Sequence, residues 1–177
     1  MSKKIETIEV DATEVVRADQ PKLYDQIVTW IDAKEWAYEG SEKDGRLSFG
    51  LRLKDAAVRV YCWIYDNPEW KRVTVFTVYY TRVPEHRRAE VAMALARINY
   101  STTVGCMEMD FDDGEIRTRT WHESEFVMTE EMLDRVIRRS VDLADQYQAP
   151  LLAIAFGNAA ASTVIEMGAR PDPAQLQ

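Results

Sequence analysis

Histidine, cysteine and glycine are scarce in this 177-residue chain, which carries two, two and seven of them. Their scarcity removes most recognisable reaction centres. Cys62 and Cys106 lack the C-x-x-C or Cys/His spacing of a zinc site. No G-x-G-x-x-G or G-x-x-x-x-G-K loop is present to cradle phosphate. A G-x-S-x-G elbow and a glycine-rich oxyanion loop are missing too. No apolar run approaches the ~18 residues of a spanning helix, and Met1–Val16 has no apolar stretch fit for a signal peptide. Basic residues are outnumbered 22 to 30, a net charge of −8, which argues against a phosphate-backbone partner. The expectation is a cytoplasmic protein with two reduced, buried thiols, no cofactor and no structural metal.

What is present points to a packed core. Hydrophobic residues make up 46% and aromatics 10%, too much for a disordered chain. The length suits one domain. The acidity favours solubility, or a basic or amphipathic partner.

Residues 1–17 mix Ile5, Ile8, Val10, Val15 and Val16 with acids and hold no single period; they are expected to form a loosely ordered arm with at most an edge strand. Residues 18–168 then read as one α+β domain. Pro21 suits a helical first turn, and Leu23, Ile27, Trp30 and Ile31 share one helix face as far as about Lys34. After the Asp44-Gly45 turn, Leu47, Phe49, Leu51 and Leu53 alternate with polar residues, as in a half-buried strand. Lys54-Asp55 turns the chain. Val58, Val60, Cys62 and Ile64 then alternate with Arg59, Tyr61, Trp63 and Tyr65. Asn67-Pro68 marks another turn, and Arg72–Thr81, apolar on both faces, reads as a central strand.

Val83-Pro84 opens a second helix with the stripe Val91, Leu95 and Ile98. A strand over Val104–Phe111 leads to Asp113-Gly114, the sharpest hairpin signal in the chain and suited to a type I′ turn. The return strand is Glu115–His122, and Ser124–Met128 is loop. Thr129 is a natural N-cap followed by Glu130 and Glu131. Leu133, Val136, Ile137, Ser140, Val141, Ala144 and Tyr147 keep helical period. Pro150 is expected to kink or interrupt that helix, and Leu151–Phe156 to be buried. Gly157-Asn158 is a plausible cap. A short helix over Ala160–Met167 ends at Gly168, and 169–177 is expected to be a disordered tail. The order is α-β-β-β-α-β-β-α, an antiparallel sheet packed by helices, with Leu95/Ile98, Leu133/Val136/Ile137 and Leu151/Leu152/Phe156 buried together.

Ala94-Leu95-Ala96-Arg97-Ile98-Asn99, the Asp113-Gly114 hairpin with its basic return strand Ile116-Arg117-Thr118-Arg119, the Thr129-headed helix, and Pro150 followed by Phe156-Gly157 resemble the YbjN-domain family. That family is described as putative bacterial sensory transduction regulators. The element order is similar to the type III secretion chaperone-like fold. The resemblance lies in Val91–Gly157 and covers about two-thirds of the chain when the three preceding strands are included. It implies a bacterial regulatory protein and supplies no catalytic residues; its fold relatives bind partner polypeptides as dimers.

The chemical candidates weaken on inspection. Asp110, Asp112, Asp113 and Glu115 invite calcium, but placing Gly114 at the invariant glycine of an EF-hand loop puts Met109 and Phe111 at ligand positions. A solvated hairpin tip explains the acids. His86 sits in a helical first turn, and His122 beside Glu123 and Glu125 lacks a ligand set. Ser124 with His122 makes a triad only on paper.

The better lead is aromatic. Arg59, Tyr61, Trp63 and Tyr65 lie on one side of a strand, and Arg117, Arg119 and Trp121 repeat the pattern on the second return strand. These residue types dominate protein-interface hot spots. The expected function is a non-enzymatic, chaperone-like regulatory domain that binds another polypeptide or itself as a homodimer. The alternative is a small-ligand sensor with a pocket between sheet and helices. Whether a helix of the same chain covers the aromatic face is open at this point.

Overall fold

A helix of period 3.6 and a sheet of period 2 can share a core only if each presents one apolar side, and both periods are met here. The computed structural model describes residues 21–54, 56–67 and 69–169. The expected arm, 1–17, lies outside them, as does all of the expected tail but Ala169. Asp55 and Pro68, in two of the expected turns, lie outside them as well.

Helix α1 is Leu23–Asp32, followed by strands β1 (Tyr38–Ser41), β2 (Arg46–Arg52), β3 (Ala57–Asp66) and β4 (Lys71–Arg82). A 3-10 turn, Glu85–Arg87, leads into α2 (Arg88–Ser101). Strands β5 (Cys106–Met109) and β6 (Glu115–Ser124) precede α3 (Glu130–Phe156), a second 3-10 turn at Ala161–Thr163, and α4 (Val164–Met167). Among the described residues the six strands form one sheet in the order β1-β2-β3-β4-β6-β5, antiparallel throughout. The class is α+β, as the sequence implies.

Several elements differ from expectation. The edge strand β1 was not foreseen: Tyr-Glu-Gly-Ser has no apolar alternation, and its pairing with β2 makes it a strand. Helix α1 starts at Leu23 rather than Pro21, because the Leu23 N–H is capped from afar by the Asp66 carboxylate at 2.6 Å. The hairpin between β5 and β6 has a five-residue connection, residues 110–114, rather than a type I′ turn. Gly114 takes φ +77° while Asp113 does not enter the left-handed region, and Gly114 N–H donates to the Asp110 carbonyl at 2.8 Å. Strand β5 is correspondingly shorter than Val104–Phe111.

Pro150 does not interrupt α3, which runs unbroken through 27 residues. Proline removes one N–H, and here Tyr147, Leu151 and Ile154 on either side are locked into the core. The Thr129 cap forms as expected, its hydroxyl accepting from Met132 N–H. Phe156, however, is 57% exposed and Leu152 only half-buried. The three expected stripes also do not form a single cluster. Leu133, Val136 and Ile137 pack with α1, Phe49, Val60, Cys62, Val73 and Val75. Leu95, Ile98 and Leu151 pack with Val58, Tyr79, Met107 and Ile116.

Polar groups dock α3 onto the sheet between these clusters. Tyr79, Thr118 and Thr120 donate to the carbonyls of Ala144, Ser140 and Val136, one helical turn apart, at 2.6, 2.9 and 2.8 Å. The core faces of β4 and β6 are therefore both threonine-bearing and buried, and no hydroxyl among these is left without a partner.

Candidate partner-binding face

Strand alternation sends Val58, Val60, Cys62 and Ile64 toward the helices, so Arg59, Tyr61, Trp63 and Tyr65 stand on the opposite side of β3. On β6, Thr118 and Thr120 face α3, leaving Arg117, Arg119 and Trp121 on that same opposite side. Among the described residues no helix covers this side. All seven residues singled out from the sequence thus lie on one sheet face.

They are not adjacent, because β4 runs between β3 and β6. The registers align them in rows across three strands: Arg59–Val78–Arg117, Tyr61–Phe76–Arg119, Trp63–Thr74–Trp121 and Tyr65–Arg72–Glu123. Phe76 is the centre. It is only 5% exposed although it points away from the helices. The Trp63 ring meets it edge-on at 4.9 Å and the Arg117 guanidinium lies over it at 4.6 Å. Trp121, by contrast, is 52% exposed.

Cation–π stacking recurs across the face. Arg46 lies over Trp63 at 5.0 Å, Arg72 over Tyr65 at 4.5 Å and over Trp70 at 5.1 Å, and Arg119 over Trp121 at 5.9 Å. Carboxylates tie down some of the guanidiniums. Glu108 bridges Arg117 and Arg119 at 2.9 and 2.8 Å, Glu39 pairs with Arg59 at 2.5 Å, and Glu123 with Arg72 at 3.2 Å. Two shallow hollows flank the Trp63–Phe76 pair. One, of about 470 Å³, includes Arg46, Tyr61, Val78 and Arg117; the other, of about 360 Å³, includes Tyr65, Arg72, Arg119 and Trp121.

Sequence reading missed Phe76, Arg46, Arg72 and Glu108. The signal for Phe76 was the two-sided apolar character of β4. Arg46 shares the alternation of Ser48, and Glu108 lies opposite Arg117. Cys106 corrects another expectation. It is half-buried on the open face, opposite Arg119, because Met107 takes the core side. Cys62 is fully buried, and burial pushes its thiol up to about 12.

The acidic loop is occupied by its own chain. Asp110 and Asp113 accept from Asp112 and Glu115 N–H, both at 2.8 Å, and Arg82 pairs with Asp113 and Glu115. His86 is exposed on its 3-10 turn; His122 is half-buried on β6; Ser124 Oγ accepts from Phe126 N–H. Among the described residues no group of three or more His, Cys, Asp or Glu is placed to hold a metal ion, and no helix is long and apolar enough to cross a membrane.

The fold and this face define an α+β domain whose sheet is helix-covered on one side and, among the described residues, open, aromatic and cationic on the other. The chain belongs to the YbjN family, described as "Putative bacterial sensory transduction regulator", whose family model matches residues 23–153. The match begins at the first residue of α1 and spans every strand of the sheet. The structure is also similar to the crystal structure of YbjN, "a putative transcription regulator from E. coli", with 16% sequence identity and a TM-score of 0.52. That likeness covers 73% of this chain and 90% of the other and is one of fold. A comparison with curated proteins finds no match.

Proposed function

We propose that this chain is a non-catalytic regulatory domain that works by binding a polypeptide through its open sheet face. The carrying observation is the cluster of Tyr61, Trp63, Phe76, Arg117, Arg119 and Trp121 on a side of the sheet free of helices among the described residues. Rigid aromatic rings framed by guanidiniums desolvate well against a partner while keeping polar edges satisfied. The partner is another polypeptide or a second copy of this chain, and the acidic remainder keeps the complex in solution. A ligand-sensing pocket between sheet and helices gains less support: the hollow where Tyr79 and Ile116 meet Leu151 and Ala155 holds about 10 Å³, roughly one water.

Light scattering and native mass measurement test this. The parent protein should run as a dimer or with a bound polypeptide. Trp63→Glu combined with Trp121→Glu should give a lone chain that still melts cooperatively. A parent that is a monomer at high concentration, with both indoles shielded from quencher, would return the face to the intrachain core.

A further inference from the structure

Resting on that polypeptide-binding reading, we infer that the face selects an extended, acidic segment bearing apolar side chains, from a different protein rather than from a second copy. Charge is the first ground. The chain as a whole is −8, yet Arg46, Arg52, Arg59, Arg72, Arg117 and Arg119 all stand on this side of the sheet. Glu39 and Glu123 neutralise one arginine each, Glu108 is shared between two, and Glu115, which also lines the larger hollow, is paired with Arg82. Arg46 and Arg52 form no ion pair among the described residues. The face is therefore a cationic island on an acidic protein. A twofold interface would set that island against its own image, and like charges facing each other oppose association.

Unfilled hydrogen-bonding capacity is the second ground. The Nε–H groups of Arg72 and Arg119 are buried and find no acceptor. Both arginines line the smaller hollow, beside Tyr65 and Trp121. The Arg72 and Arg119 side chains are still 33% and 43% exposed, so a carboxylate there can meet their outer guanidinium N–H groups, which Glu123 and Glu108 fill only in part, and charge-assisted bonds of this kind are strong. The Trp63–Phe76 pair, between the two hollows, offers the apolar contact. An extended strand alternates its side chains, so apolar and acidic groups can be distributed between rings and arginines. A nucleic-acid strand shares the taste for aromatics and cations, but Glu39, Glu108 and Glu123 on the face and the acidic body around it repel a phosphate track.

The test uses the full chain and three labelled probes: a short peptide alternating Asp/Glu with Phe/Leu, its Lys/Arg counterpart, and a single-stranded oligonucleotide. Fluorescence anisotropy should show the acidic peptide binding roughly tenfold or more tightly than the basic one, and weakening as salt rises. Arg46→Glu with Arg119→Glu, checked for a parent-like melting curve, should reverse the peptide preference. Loss of folding alone cannot produce that reversal. No acidic-peptide binding up to millimolar concentration, equal binding of both peptides, or preferential binding of the oligonucleotide would overturn the inference. So would a parent dimer that the acidic peptide fails to compete with, and in that case the polypeptide-binding reading survives without it. If Trp63→Glu with Trp121→Glu leaves every association of the parent intact, the reading itself falls.

Discussion

The hydroxyls of Thr118 and Ser140 lie 2.7 Å apart in the interior, and Thr118 also reaches the Ser140 carbonyl at 2.9 Å. Thr77 joins from β4, its hydroxyl 2.9 Å from that of Ser140. Each hydroxyl has one proton to give, and one assignment satisfies all three: Thr77 donates to Ser140, Ser140 to Thr118, and Thr118 to the helix carbonyl. Ser140→Ala removes the middle of this relay and strands the Thr77 hydroxyl. We expect a loss of about 1–3 kcal/mol. Adding Thr77→Val should recover part of it, since removing both partners costs less than removing one. Chemical denaturation of the three variants measures this as a double-mutant cycle.

Leu133 is 1% exposed and packs where α3 meets α1 and the sheet. Leu133→Ala should cost about 2–5 kcal/mol. An unchanged denaturation midpoint would contradict the packing described.

Gly114 holds φ +77°, and a Cβ there would collide with the Val83 carbonyl oxygen and come within 2.9 Å of the Val83 nitrogen. Val83 N–H also donates to the Gly114 carbonyl at 2.9 Å, tying the end of β4 to the hairpin. Gly114→Ala should destabilise by more than the ~1 kcal/mol typical of a glycine change, because backbone rather than a side chain must yield. Thermal melting of that variant beside Gly50→Ala, whose position has open space, gives the comparison.

The two thiols should react at very different rates. Native protein should label quickly at Cys106 and only after opening at Cys62, which Cys106→Ser would isolate. Cys62 also sets an alkaline limit. Its folded thiol keeps its proton to about 12, whereas an unfolded thiol releases it near ~8.5. Between those values the unfolded state binds fewer protons, so stability falls as pH rises, by up to ~1.4 kcal/mol per unit from this group. Cys62→Ala should flatten that part of the profile, measured by denaturation from pH 8 upward.

The parts legible in the sequence were those set by local periods. Leu23, Ile27, Trp30 and Ile31 declared the buried side of α1, and odd-numbered residues of β3 and β6 declared the open face. Non-local choices were hidden. Nothing near Phe76 says that β4 lies between β3 and β6, and only that pairing puts its ring at the centre of the face. Strand β1 exists through its pairing with β2, and Pro150 stays helical because tertiary packing outweighs local preference. Cys106 was readable after all: Met107 takes the core, so its neighbour must face away.

Helix α3 sends Leu133, Val136 and Ile137 into one hydrophobic cluster and Leu143, Leu151 and Ile154 into the other. Neither cluster can open without loosening the element that seals its neighbour. Amide exchange along the buried side of α3 should therefore be slow at both ends alike, with the molecule giving way in one cooperative step. Occupancy of the far side of the sheet would then tighten a single mechanical unit and not one half of it.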